Sequence, residues 1–358
     1  MFPSSSDVGR ESWDGPPPGP RRTAPNAYGA PGAAPVTAPD ERRERAAARR
    51  ARRDGPSGLQ PTEPADSETD AEENEDDAEE VEPVPVRRLL SVAVAGFAGL
   101  LTLGLIMGAQ TAGPGGARVP YAIVIFGVQL LFVLAWTMAI RPPALPLVAG
   151  VCIAIAALAD FAAISPDTAT IAPVGYVAVG GFVAGVLAQL IRRVDRVRVT
   201  DSLGATLLIV VGVVAFATLI VLGRVPLGTQ AIFVCLTATG VSLVVARLTD
   251  AVSAWPRLAP QVPRGAAGVV LGAMCGTLAA AVIGSYVVGF TPVSGAVVGL
   301  IAASAAGLAD LAAGYSEAGR QMAGEPPTMW IARHMQGPLG GFALAAPAAY
   351  AMCVLFLT

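Results

Sequence analysis

The chain has 358 residues, 53% of them hydrophobic and only 14% charged, so long apolar segments must dominate it. Its single histidine, His334, excludes a multi-histidine metal site; its four cysteines lie in separate apolar runs with no C-x-x-C spacing, as expected of small buried hydrophobes rather than ligands. The formal charge of −3 sums two unlike regions: residues 1–86 carry nineteen acids and ten arginines, about −9, and residues 87–358 carry eight acids and fourteen arginines, about +6.

The first region, 1–86, is expected to be a disordered cytoplasmic tail. From Met1 to Pro39 it is Pro, Gly, Ala and Ser with few large apolar side chains, too few to offset the entropy of ordering. Nor does this stretch have the apolar core of a cleavable signal peptide. Asp40 to Arg53 places acids first, alanines between and arginines last, which suits the dipole of a short helix. That basic segment either lies on anionic lipid or pairs with the acidic block Glu68 to Glu82. No aromatic residues interleave with its arginines, which argues against nucleic acid as a partner.

The second region, 87–358, contains nine apolar runs of about 20 residues, the length that crosses a hydrocarbon core. They are approximately Leu89 to Met107, Val119 to Ile140, Ala144 to Ile164, Ile171 to Ile191, Leu203 to Leu222, Leu227 to Leu248, Gly265 to Phe290, Val293 to Tyr315 and Gly337 to Leu357. With the N-terminus placed in the cytoplasm, twelve arginines fall on the cytoplasmic side, Arg247, Arg264, Arg320 and Arg333 among them, and two outside, Arg118 and Arg224. That asymmetry supports an odd number of spans, with the N-terminus in and the C-terminus out across the plasma membrane. Because backbone groups in lipid must be satisfied within the chain, the expected fold is an all-α, polytopic bundle of about nine transmembrane helices. Small residues such as Gly268-x-x-x-Gly272 allow close helix approach.

Polar residues able to do chemistry gather toward the cytoplasmic side. Asp250 ends the sixth run, Arg264 enters the seventh, and Asp310 lies near the end of the eighth. A polar loop is expected from Ser316 to Gln336, carrying Glu317, Arg320, Arg333 and His334. A carboxylate inside such a run costs about 2.5–3.5 kcal/mol on insertion scales at the helix centre, so Asp310 is expected to have a task or a partner. Arg264 or Arg320 is the expected partner.

Several of these residues stand in patterns that resemble a known family. Leu308-Ala309-Asp310-Leu311 is similar to a G-D-L motif, and Ala345-Ala-Pro347-Ala-Ala-Tyr350 to a closing A-A-P-x-x-Y at the same separation. Leu258-Ala-Pro260-Gln-Val-Pro263-Arg264 is similar to L-A-P-x-I-S-P-K, one residue short, and Thr249-Asp250 to an S-D pair. The family is the phosphatidate cytidylyltransferases, or CDP-diacylglycerol synthases, membrane enzymes that condense phosphatidate with CTP. The resemblance covers most of 87–358. It implies a Mg²⁺-dependent phospholipid-synthesis site holding Asp310, Asp250 and Arg264 at the matching positions, with Asp310 as the candidate metal ligand.

The departures fall on the polar half of that signature. The chain has no lysine; Glu317 and Ala318 stand at the K-R positions, Ala332 at the histidine, Gly337 and Pro338 at D-R, and Gly340 at the final aspartate. Attack on the α-phosphorus of CTP gathers negative charge that divalent metal and cationic clamps must stabilise. Arginine holds phosphate bidentately, so Arg264, Arg320 and Arg333 are candidate phosphate-binding residues even where turnover is lost.

Three functions compete at this level. The leading one is a non-catalytic relative of the cytidylyltransferases, acting as a lipid-binding or scaffold protein with anionic phospholipid as partner, and with no cofactor required. The second is an active cytidylyltransferase with a rearranged site and Mg²⁺. The third is a transporter using Asp160 and Asp310 as an intramembrane acid pair, which the lack of an internal repeat disfavours. The tail can add protein partners, and a homodimer is compatible with all three.

Overall fold

The computed structural model describes residues 84–111, 118–191, 199–325 and 329–356. The expected disordered tail over 1–83 lies outside the described residues. Among those described, nine helices are long and apolar enough to cross a membrane: α1 Arg88–Thr111, α2 Arg118–Ile140, α3 Leu145–Ile164, α4 Ala172–Ile191, α5 Val199–Leu222, α6 Gly228–Val252, α7 Ala266–Gly284, α8 Pro292–Met322 and α9 Trp330–Phe356. This is a multi-pass membrane protein with a helical bundle. Its outer faces carry exposed Leu103, Ile123, Phe161, Leu190 and Leu278, the reverse of a water-soluble protein and suited to lipid.

Alternation along the bundle follows from the short connections. Helices α5, α6 and α9 are the most buried of the nine. Helix α9 packs against α1, α2, α5, α6 and α8 and so ties together a group α6–α7–α8 and a group α2–α3–α4–α5. The core between them is aliphatic and aromatic, with Phe132, Phe216, Ile232, Leu339 and Phe342 fully buried. Small residues set the closest approach: a Cβ on Gly272 of α7 would stand 2.5 Å from the carbonyl oxygen of Ser242 on α6.

The all-α bundle is as expected, and the connection between α6 and α7 adds a short element to it: β1 Arg257–Ala259 and β2 Val262–Gly265 form an antiparallel hairpin, pairing Arg257 with Gly265 and Ala259 with Val262. Pro256, Pro260 and Pro263 forbid helix across this stretch and impose extended backbone on the residues before them. One expectation is corrected: the loop expected from Ser316 to Gln336 is much shorter. Helix α8 runs past Tyr315 to Met322, ending before Gly324 in the left-handed region at φ +74°, and α9 begins at Trp330.

At about 1.5 Å per residue the 31-residue α8 is about 46 Å long, against a hydrocarbon core of about 30 Å. Its last turns therefore overhang the membrane. Glu317 lies in that overhang and pairs with Arg320 one turn on and with Arg333 of α9 at 3.3 Å, fastening the two helices.

The opposite end of the bundle is fastened differently. Arg118 and Arg224, the two arginines expected outside, both donate to the C-terminal end of α3. Arg118 reaches the Ile164 carbonyl at 3.1 Å, and Arg224 reaches those of Ala163, at 2.5 Å, and Pro166. Burial first, and the neighbouring Arg118 second, push the Arg224 guanidinium below its usual pKa, while Asp167 pulls it back. These side chains satisfy orphan carbonyls at a helix C-terminus, where the dipole also favours cations.

Candidate functional site

Asp310 lies about 27 Å along α8 from Pro292, at the edge of the hydrocarbon core, and is buried. Arg247 lies about 28 Å along α6 from Gly228, at a matching depth, and its guanidinium pairs with Asp310 Oδ1. Arg264 enters from β2, where the hairpin alternation turns Pro263 outward and Arg264 into the bundle. Its Nη1 lies 2.7 Å from Asp310 Oδ2 and its Nε 3.1 Å from Asp250 Oδ2. Asp250, in the last turn of α6, accepts from the Gly265 N–H at 3.0 Å through its other oxygen.

The result is an alternating chain, Asp250, Arg264, Asp310, Arg247, with two positive and two negative groups. Desolvating any one of them alone is expensive, and the alternation is what makes burial of all four tolerable. Gly337 of α9 faces the cluster: a Cβ there would overlap Asp310 Oδ1 and lie 3.0 Å from Arg247 Nη2. Only glycine leaves room for the Asp310 carboxylate and the guanidinium paired with it. Around the cluster the Gln336 amide, Trp136 Nε1, His334 Nε2 and Arg247 Nε are buried without a protein partner among the described residues.

Of the two arginines expected opposite Asp310, Arg264 is there and Arg320 is not. Arg320 and Arg333 share Glu317 some turns away. All three candidate phosphate-binding arginines are thus engaged by carboxylates, because each stands where an acid on a neighbouring turn or helix can reach it. Asp250, Asp310 and Arg264, the three family-like positions, are brought together. Asp160 and Asp310 are not. Asp160 lies about 22 Å along α3 from Leu145, toward the far end of the bundle from Asp310, and accepts from Gln129 of α2 at 2.8 Å.

Sequence reasoning gave Arg247 only a topological role. A signal was present: an arginine sits within the last residues of an apolar run, three residues before Asp250, where a charge is costly unless paired.

A divalent cation does not fit these residues. Mg²⁺ needs hard oxygen ligands at octahedral geometry, whereas each Asp310 oxygen already faces a guanidinium and both Asp250 oxygens are engaged. Among the described residues no group of three or more His, Cys, Asp or Glu side chains converges. Comparison with protein-family models, with curated proteins and with solved structures gives no match.

Proposed function

We propose that this chain is a non-catalytic membrane protein of the phosphatidate cytidylyltransferase type, which has exchanged metal-dependent chemistry for binding of phospholipid. The observation that carries the reading is the pair of guanidiniums on Asp310. In the resembling family the matching aspartate belongs to a signature rich in acids and lysines; here the Asp310 carboxylate, held by Arg247, occupies the space that a second acid at Gly337 would need. A cluster neutralised in this way stabilises the junction of α6, α8 and α9 and has no free carboxylate with which to hold a metal nucleotide. The orientation that suits this reading puts the cluster at the cytoplasmic face of the plasma membrane, the arginine-rich side.

The direct test is purified protein in lipid vesicles with CTP, phosphatidate and Mg²⁺. No CDP-diacylglycerol is expected above protein-free vesicles. Turnover that Asp310→Asn abolishes would replace this reading with that of an enzyme whose cluster rearranges.

A further inference from the structure

With Arg264, Arg320 and Arg333 committed to carboxylates, a lipid phosphate must be met elsewhere. Two other arginines share a cavity at the same end of the bundle. It has a volume of about 570 Å³ and lies between the chain entering α1, the C-terminus of α6 and the start of the hairpin. Arg88 and Arg257 stand on its walls with Ser253, Trp255 and Val252. Among the described residues no carboxylate is within ion-pair distance of either arginine. Asp250 also lines it, but both its oxygens are held by Arg264 and Gly265.

The walls combine two chemistries. Arg257 donates to the Val84 carbonyl at 2.7 Å, and Val84 donates to the Pro260 carbonyl at 3.0 Å, so the chain before α1 is pinned to the hairpin and the arginine is held in place. The negative dipole end of α6 and the positive end of α1 both reach the cavity and offset one another, leaving the two guanidiniums to set its sign. Trp255 and Val252 of the lining, and Leu89 next to Arg88 in the chain, are 75%, 80% and 89% exposed, an apolar and aromatic border at the ends of α6 and α1, where spanning helices meet the headgroup region. A basic pocket between membrane helices with such a border is the arrangement that receives an anionic headgroup.

We propose that this cavity binds the phosphate of an anionic bilayer phospholipid between Arg88 and Arg257, with its acyl chains running along Leu89 and Val252. The assignment rests on the lipid-binding reading above and gives it a place. Arginine suits the task, since its planar fork holds a phosphate by two hydrogen bonds.

The experiment compares retention of phosphatidylglycerol and phosphatidylcholine by purified protein in mixed-lipid nanodiscs, for wild type, Arg88→Gln, the Arg88→Gln/Arg257→Gln pair and Arg141→Gln. Arg141 is an exposed arginine at the same end that does not line the cavity. Wild type is expected to prefer the anionic lipid. The pair should lose about thirtyfold in that preference, Arg88→Gln about fivefold, and Arg141→Gln nothing. Arg88→Gln carries the test if loss of the Arg257 bond to Val84 unfolds the pair. A wild type without preference overturns the lipid-binding reading itself. Preference kept in both cavity variants leaves that reading standing and removes the cavity from it. Equal competition by soluble glycerol phosphate makes the ligand a free phosphate and overturns the lipid assignment.

Discussion

At the scale of single residues, Asp310 and Gly337 decide what the interior can do. Removing one partner from a buried ion network strands the others, at a cost of about 3–5 kcal/mol. Asp310→Asn leaves both Arg247 and Arg264 facing a neutral amide, so a clearly lower Tm is expected, measured with and without millimolar Mg²⁺. The same absence of Mg²⁺ response in both proteins is expected; stabilisation of wild type alone would restore a metal to the site. Gly337→Ala forces a methyl into Asp310 and Arg247, an overpacking expected to cost about 1–3 kcal/mol. Gly319→Ala, where a Cβ meets nothing within 4 Å, should leave Tm level or slightly raised. An unlowered Tm for Gly337→Ala would mean that the close contact is absent in solution. Asp310 was legible in the sequence because a carboxylate in an apolar run is costly. Gly337 was legible only as a missing aspartate, since nothing local announces that a glycine is making room for an ion pair between two other helices.

At the scale of elements, the nine helices found among the described residues were legible because apolar runs of spanning length are unmistakable. The ends were not. Helix α8 outran its apolar stretch because Glu317, Ala318, Arg320 and Gln321 favour helix beyond the membrane, where hydropathy carries no signal. The hairpin was hidden for a related reason: a seven-residue resemblance marked the stretch, but strand pairing depends on both partners and on the prolines together. Arg118 and Arg224 were the exceptions to the arginine asymmetry, and their role as caps on α3 explains them: both ends of that contact lie on one side of the bundle. A reporter fused after Phe356 should therefore be found on the same side as one inserted between Ile164 and Ala172, and opposite to one placed before Arg88. Fusions at Phe356 and before Arg88 on the same side would refute the odd number of spans.

At the scale of the whole molecule, the described residues belong to one compact unit, Glu79–Thr358. A cut after Pro83 is expected to leave a bundle with unchanged Tm, whereas a cut after Pro85 removes Val84 and with it both bonds to the hairpin, lowering Tm by a few degrees. Equal melting of the two truncated proteins would deny the Val84 strap any stabilising role. The alternating cluster has one more consequence, in time rather than space. Arg247 and Asp310 are 63 residues apart, so at about 5–20 residues per second the ribosome makes the arginine several seconds before its carboxylate. Until α8 arrives, α6 and the hairpin hold two guanidiniums against the single acid Asp250. A chain halted in that interval has two guanidiniums and one carboxylate here, where the finished chain has two of each. Charge balance at this junction is therefore a property of the completed chain alone.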